Sequence, residues 1–262
     1  MTEPADNAMQ GEAAAARRQA LSEKTPEPTV DADDLARALE DDVEGGLRGS
    51  RLVLEVSQSA SARRGRVSCA EHDAAARTIA FGNTAALVVH DRRGAPYALT
   101  RDGEPDASLF VSCTDEDAWR VDALLLHGDG APWLGMGIDL CSVDEFTDTP
   151  SNRRFWSRTF TEAELAVASG VHSALALSRA WLFAAREAAF KATAAALRER
   201  ERAGAAVPTY SFANFEVVST HEAVPIGRAK AALDELGLGS LTLASTVLNG
   251  RALVLALAQG AA

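Results

Sequence analysis

The chain has 262 residues, 47% of them hydrophobic and 24% charged, which gives material for one large or two small packed domains and excludes both a mini-protein and wholesale disorder. No apolar run approaches the roughly 18 residues that a membrane-spanning helix needs. The formal charge of -11 argues against nucleic acid and other acidic partners, yet residues 1–47 hold 12 acids and four bases, leaving -3 for the remaining 215 residues.

Residues 1–47 are rich in Ala, Glu, Asp and Pro and poor in aromatic and β-branched residues. They cannot bury enough apolar surface to offset ordering entropy, so an acidic, disordered leader is expected, with at most a transient amphipathic helix over 33–47 capped by Asp34. No basic n-region or apolar h-region opens the chain, so the cytoplasm is the expected location. Cys69, Cys113 and Cys141 are widely spaced and form no C-x-x-C pair, and they read as reduced, mostly buried thiols.

From Arg51 onward the pattern predicts a strand over 52–56, an Ala-rich helical stretch over 69–79, a strand over 86–90, a turn at 91–96, and strands over 109–113 and 119–126. A Gly-Asp-Gly-Ala-Pro loop at 128–132 follows, then a strand over 135–143. A helix over 161–168 is opened by Thr161 with Glu164 three residues on, a capping-box spacing, and a long helix covers 177–202. The chain closes with a strand over 212–218, a helix over 227–236, and a hairpin of 241–248 with 252–258 across Asn249-Gly250, a type I′ turn signal. This is an α+β pattern. Leu109-Phe110-Val111-Ser112-Cys113-Thr114 and Leu241-Thr242-Leu243-Ala244-Ser245-Thr246 each precede a polar tip and a second apolar strand, so two similar α/β lobes in a pseudo-twofold arrangement are expected. Their bounds would be 48–134 and 135–262, after the leader 1–47.

Two segments can carry chemistry. In Gly135-Met136-Gly137-Ile138-Asp139-Leu140 a single carboxylate sits among aliphatic residues, where it is costly unless paired or bound to a cation. It serves equally well as a cap for the next turn or as one oxygen ligand of a hard cation such as Mg2+. In Phe183-Ala184-Ala185-Arg186-Glu187-Ala188-Ala189-Phe190-Lys191-Ala192 helical spacing places Phe183, Glu187 and Lys191 on one stripe. That stripe is either an exposed Glu-Lys pair or part of a site; Lys191 is one of only three lysines beside 23 arginines. Gly135-x-Gly137 lacks the third glycine and the following helix of a dinucleotide fingerprint. The histidines His72, His90, His127, His172 and His221 are scattered and read as structural or exposed.

Taken together, Met136-Gly137-Ile138-Asp139-Leu140-Cys141-Ser142-Val143-Asp144-Glu145-Phe146, then Arg154-Phe155 with Phe160-Thr161-Glu162-Ala163-Glu164-Leu165, then the helical segment above, resemble the 4′-phosphopantetheinyl transferases. The likeness is to the holo-acyl-carrier-protein synthase type over roughly 135–200, while the length and duplicated outline resemble the larger two-lobed members. The resemblance implies transfer of the phosphopantetheine arm of coenzyme A to a serine of an apo acyl or peptidyl carrier protein in lipid, polyketide or peptide biosynthesis, releasing 3′,5′-ADP. It implies Asp139 and Glu187 as Mg2+ ligands, Glu187 and Lys191 as catalytic residues, and Arg186, Lys191, Thr114, Arg92 and Arg93 as contacts to coenzyme A. Phe146, Arg153, Arg154 and Phe155 are the implied carrier-docking residues. The family's Ser-His pair of the first-lobe hairpin is replaced here by Thr114-Asp115, followed by Glu116 and Asp117, and Cys141 stands where many two-lobed members have a further acidic ligand. Arg63, Arg64, Arg66 and Arg77 join Arg92 and Arg93 as candidates for the 3′-phosphate. These departures leave an alternative, a catalytically degenerate member that binds a carrier protein or synthase. Neither nucleic acid nor a membrane is expected as a partner.

Overall fold

The structure, a computed structural model, describes residues 31–58, 77–81, 84–90, 96–106, 108–116, 119–146, 149–202, 204, 206–207, 209–235 and 237–260. In chain order the elements are α1 (Ala32–Asp42), β1 (Arg51–Gln58), β2 (Arg77–Phe81), β3 (Thr84–His90), β4 (Pro96–Leu99), β5 (Leu109–Glu116), β6 (Trp119–Leu126) and β7 (Trp133–Ser142). A 3-10 turn at Val143–Phe146 leads to α2 (Pro150–Thr159), α3 (Glu162–Ser169) and α4 (Leu175–Arg202). After a second 3-10 turn, Phe212–Asn214, come β8 (Phe215–Ser219), β9 (Glu222–Pro225), α5 (Gly227–Glu235), β10 (Leu238–Leu248) and β11 (Arg251–Gly260). The mixed helix and sheet composition agrees with the α+β expectation, and Ala32–Ala262 forms one compact unit.

Asn249 and Gly250 take positive φ values of 47° and 75°, as a type I′ turn demands, and β10 pairs with β11 antiparallel in the register that this turn sets, Leu248 opposite Arg251. β11 is buried along most of its length because it is sandwiched between β10 and β7 within the five-stranded sheet β7-β11-β10-β9-β8, whose face is covered by α4. A second sheet, β1-β6-β5, and a third, β2-β3-β4, are each three-stranded and antiparallel.

The fit of α4 onto β7 has a sequence cause. Cβ atoms added at Gly135 and Gly137 would lie only 2.3 Å from the Ala192 carbonyl oxygen and 2.1 Å from the Ala188 carbonyl oxygen, so bare backbone is required on the strand. On the helix, Ala184, Ala185, Ala188, Ala189 and Ala192 are fully buried and present the complementary small-residue face. The two glycines that fail as a dinucleotide loop are thus a seat for the long helix.

Three expectations change. Residues 77–79 are strand rather than helix: Arg77, Thr78 and Ile79 pair with Val88, Leu87 and Ala86, and this cross-strand partner outweighs local alanine content; the rest of the 69–79 helix lies outside the described residues. Residues 32–47 are not leader but a docked helix and its exit, with Leu35, Ala36, Leu39, Val43 and Leu47 buried against β1 and β10. The amphipathic pattern was present, and tertiary burial supplies the stability that an isolated 11-residue helix lacks. Finally, α2, β4 and β9 were not anticipated, and 212–214, expected as strand, is a 3-10 turn; α2 is polar on most sides, and its start is marked by Thr149, whose side chain accepts from Asn152 N, with Pro150 next. The hairpins β5–β6 and β10–β11 are alike, as the sequence parallel suggests, but the described part of 48–134 contains no counterpart of α4.

Candidate functional site

Period-2 geometry on β7 and period-3.6 geometry on α4 bring three charged side chains together where the helix crosses the strand. Lys191 Nζ donates to Asp139 Oδ1 at 2.7 Å, to the Ile138 carbonyl at 3.0 Å and to the Cys113 carbonyl at 3.4 Å. An ammonium has three N–H donors, so these acceptors satisfy it fully and tie β5, β7 and α4 to one nitrogen. Thr114 Oγ1 donates to Asp139 Oδ1 at 3.1 Å and accepts from Leu140 N at 3.2 Å. Both bonds to Asp139 fall on Oδ1, and none to Oδ2 is found among the described residues. Glu187, one turn before Lys191 and half-buried, accepts no hydrogen bond among the described residues and interacts electrostatically with Asp139 and Lys191.

The charges perturb one another in definite directions. Burial pushes the Asp139 carboxyl upward, and the Lys191 ammonium and the Thr114 hydroxyl only partly oppose it. Burial likewise raises Glu187, the neighbouring Asp139 charge adds to that rise, and Lys191 opposes it. Burial disfavours the Lys191 ammonium, but Asp139, Cys113 and Glu187 together outweigh this and the net shift is upward. Two carboxyls driven up by burial, with Asp139 adding to the rise at Glu187 and Asp115 to that at Asp139, and each with an oxygen not engaged by hydrogen bonds among the described residues, form a donor set suited to a hard divalent cation. Among the described residues no group of three or more His, Cys, Asp or Glu side chains could hold a metal, and Asp139 and Glu187 are a set of two.

A cavity of about 190 Å3 opens beside Lys191, lined among others by Val111, Cys113, Met136, Phe190 and Arg198. Arg198 lies over the Tyr97 ring, 5.4 Å from its centroid, so the apolar cavity has cationic groups at its wall.

Other candidates lie elsewhere. Arg186, expected at the phosphates, is 2% exposed and makes a bidentate pair with Glu164, Nε to Oε1 at 2.8 Å, and also donates to the Thr159 carbonyl at 2.8 Å. It lies over Phe160 and Phe212, and Glu164 also accepts from Val217 N and closes the α3 capping box with Thr161. The helical offset of about 100° between successive residues turns Arg186 away from the stripe of Glu187 and into the α3–α4 contact. Glu164 therefore does more than the cap its spacing announced; a long-range partner leaves no local signal. Thr114, expected at coenzyme A, contacts Asp139. Phe146, expected on a docking surface, is buried against Trp156 and Phe183 at ring distances of 5.1 Å and 5.6 Å. Arg153, Arg154 and Phe155 are exposed on α2, with Phe155 at 41%. Arg92, Arg93, Arg63, Arg64 and Arg66 lie outside the described residues, as does the side chain of Arg77. Among the described residues no helix is long and apolar enough to cross a membrane.

Residues 135–249 match the sequence model of the 4′-phosphopantetheinyl transferase superfamily. Among solved structures, a holo-ACP-synthase from Plasmodium yoelii is similar at 21% identity and a TM-score of 0.37, covering 50% of this chain and 97% of its own. A holo-[acyl-carrier-protein] synthase from Neisseria meningitidis is similar at 21% identity and a TM-score of 0.33, covering 48% of this chain and 98% of its own. No curated protein sequence matches.

Proposed function

From the match of residues 135–249 to the 4′-phosphopantetheinyl transferase superfamily model, we propose that the protein moves the phosphopantetheine arm of coenzyme A onto a serine of an apo carrier protein, with 3′,5′-ADP as the leaving group. The observation that carries this is the convergence of Asp139, Glu187 and Lys191 at one crossing of strand and helix within that domain. Asp139 and Glu187 would hold Mg2+, which would supply neutralisation of the charge that develops on the breaking pyrophosphate linkage.

The chain's own residues would do the following. Lys191 presents its ammonium to the cavity, and its longest bond, the 3.4 Å contact to the Cys113 carbonyl, is the one most readily exchanged for a phosphate oxygen. The cavity beside it is where the nucleotide end of coenzyme A would lie, its apolar wall against the base and its cationic groups toward phosphate. As the serine oxygen bonds to the phosphorus carrying the arm, the bond to the bridging oxygen breaks and its electron pair leaves with 3′,5′-ADP. The serine proton goes to Glu187, directly or through a water it orients. Arg153, Arg154 and Phe155 on α2 form an exposed basic and aromatic surface suited to an acidic carrier.

A cytoplasmic setting, with carriers of fatty-acid, polyketide or peptide assembly as the substrate class, belongs to the same proposal. The paired hairpins make a pseudo-twofold relation between the two halves our working architecture. Incubation with coenzyme A, Mg2+ and a panel of apo carriers tests the activity directly: the expected result is a mass gain of one phosphopantetheine on the carrier serine, abolished by Glu187→Gln. Turnover retained in that variant rules the assignment out. The second possibility, a degenerate member acting only as a binding module, is favoured by Asp115 and Glu116 following Thr114. It predicts carrier binding with no mass gain from any carrier.

A further inference from the structure

β5 and β7 belong to different sheets, and no backbone pairing joins them. They are stitched together by side chains. Ser112 Oγ accepts from Ile138 N at 3.0 Å, Thr114 Oγ1 from Leu140 N at 3.2 Å, and Glu116 Oε1 from Ser142 N at 3.3 Å. Both sets advance by two residues because side chains on one face of a strand and N–H groups on one edge recur with period 2. The three contacts satisfy buried donors of β7 that would otherwise be orphaned.

Thr114 does something its two neighbours do not. A hydroxyl has one proton to give as well as lone pairs to receive, and with the lone pair toward Leu140 N the proton goes to Asp139 Oδ1 at 3.1 Å. Asp139 and Leu140 are adjacent in the chain, so one hydroxyl grips the backbone of one and the carboxylate of the other. Lys191 donates to the same Oδ1. The carboxylate is therefore clamped through a single oxygen from two sides.

We propose that Thr114 is a positioning residue: by holding Oδ1 of Asp139 it fixes the carboxylate plane and presents Oδ2 to a divalent cation. This rests on the transferase assignment for its purpose but not for its test. Hydrogen-bond partners behind a metal ligand contribute 10- to 100-fold to affinity in comparable sites, on the order of what is expected here.

Mn2+ titration of the full-length protein, with and without coenzyme A and followed by electron paramagnetic resonance of the free ion, reads the effect without turnover. Thr114→Val, and Thr114→Ala as a second variant, should weaken Mn2+ binding by at least about 10-fold per folded molecule. Thr114→Ser keeps the hydroxyl and should stay within about threefold of the unmodified chain. Ser112→Ala removes the neighbouring acceptor without touching Asp139, and should lower the melting temperature while leaving Mn2+ affinity in place. Unchanged affinity in Thr114→Val or Thr114→Ala, an equal loss in Ser112→Ala, a 10-fold loss in Thr114→Ser, or no Mn2+ binding by the unmodified protein would each overturn the proposal. If the Mn2+ pattern holds while no carrier gains mass, the transferase assignment fails and the positioning role stands.

Discussion

At Lys191 three acceptors meet three N–H donors, so removing the side chain does more than delete a charge. It leaves Asp139, 8% exposed, with Lys191 lost as the cation acting on it among the described residues. Arg186 plays the contrasting part. Its pair with Glu164 is enclosed at 2% and 0% side-chain exposure, and that isolation makes it structural. Arg186→Ala should cost about 3–5 kcal/mol, because it strands a buried carboxylate, and Arg186→Lys should also destabilise because it loses the fork that meets both Glu164 oxygens. Thermal unfolding measures this, and calorimetry should find coenzyme A affinity unaltered in whatever Arg186→Lys protein folds. The raised carboxyls at Asp139 and Glu187 predict a pH effect of defined sign. A cation must displace their protons, so cation-induced thermal stabilisation should be full only above the raised values. It should fade as pH falls through the raised values, before the ordinary carboxylate range is reached. Melting curves with and without Mg2+ across that interval check it, and an increment that persists down to ordinary carboxylate values contradicts it.

At the scale of elements, the site depends on how closely α4 approaches β7. Gly137→Ala would place a Cβ 2.1 Å from the Ala188 carbonyl oxygen and 2.8 Å from the Lys191 Cβ, and neither the strand nor the helix backbone can yield cheaply. The expected loss is on the order of 1–3 kcal/mol of stability, with the Lys191–Asp139 contact pulled apart, so cation affinity should fall in the same variant. Denaturant melts and Mn2+ titration together test this, and a stable Gly137→Ala protein with unaltered binding would contradict the seating role. Much at this scale was legible in the sequence. Thr161 and Glu164 form the capping box their spacing announced, and Asn249-Gly250 makes its turn. Burial cost and helical stripe marked Asp139, Glu187 and Lys191 as candidates, and the family resemblance alone gave them roles. The partners of Arg186 and Thr114 were not legible, since Glu164 and Asp139 lie 22 and 25 residues away and no local period connects them.

At the scale of the whole molecule, the acidic N-terminal region changes meaning. Residues 32–47 carry a net -5, so the unit Ala32–Ala262 holds -8 of the total and is not close to neutral. Some of that acidity is structural: Glu40 accepts from Leu52 N at 2.9 Å, Asp42 accepts from Ser245 N at 2.7 Å, and the Leu47 carbonyl accepts from Trp133 Nε1 at 3.1 Å. Removing residues 1–47 would strand these donors, so the segment from Ala32 on is part of the folded unit rather than of a disordered leader. Leu39 is fully buried, and Leu39→Ala should cost about 2–5 kcal/mol in a chemical melt. A change below about 0.5 kcal/mol, the usual effect of a surface substitution, would return α1 to the status of a loose leader.

The amino-acid pattern alone determined the α+β class, most strands and helices after Arg51, and the likeness of 135–249 to the transferase family model, because each is written in short-range periodicity or in a contiguous motif. Only the tertiary structure decided that α1 docks, that Arg186 is a core pair, that Phe146 is buried, and that Thr114 stands behind Asp139. Each of these depends on which distant surface supplies the burial or the hydrogen-bond partner, and that is a property of the folded chain as a whole.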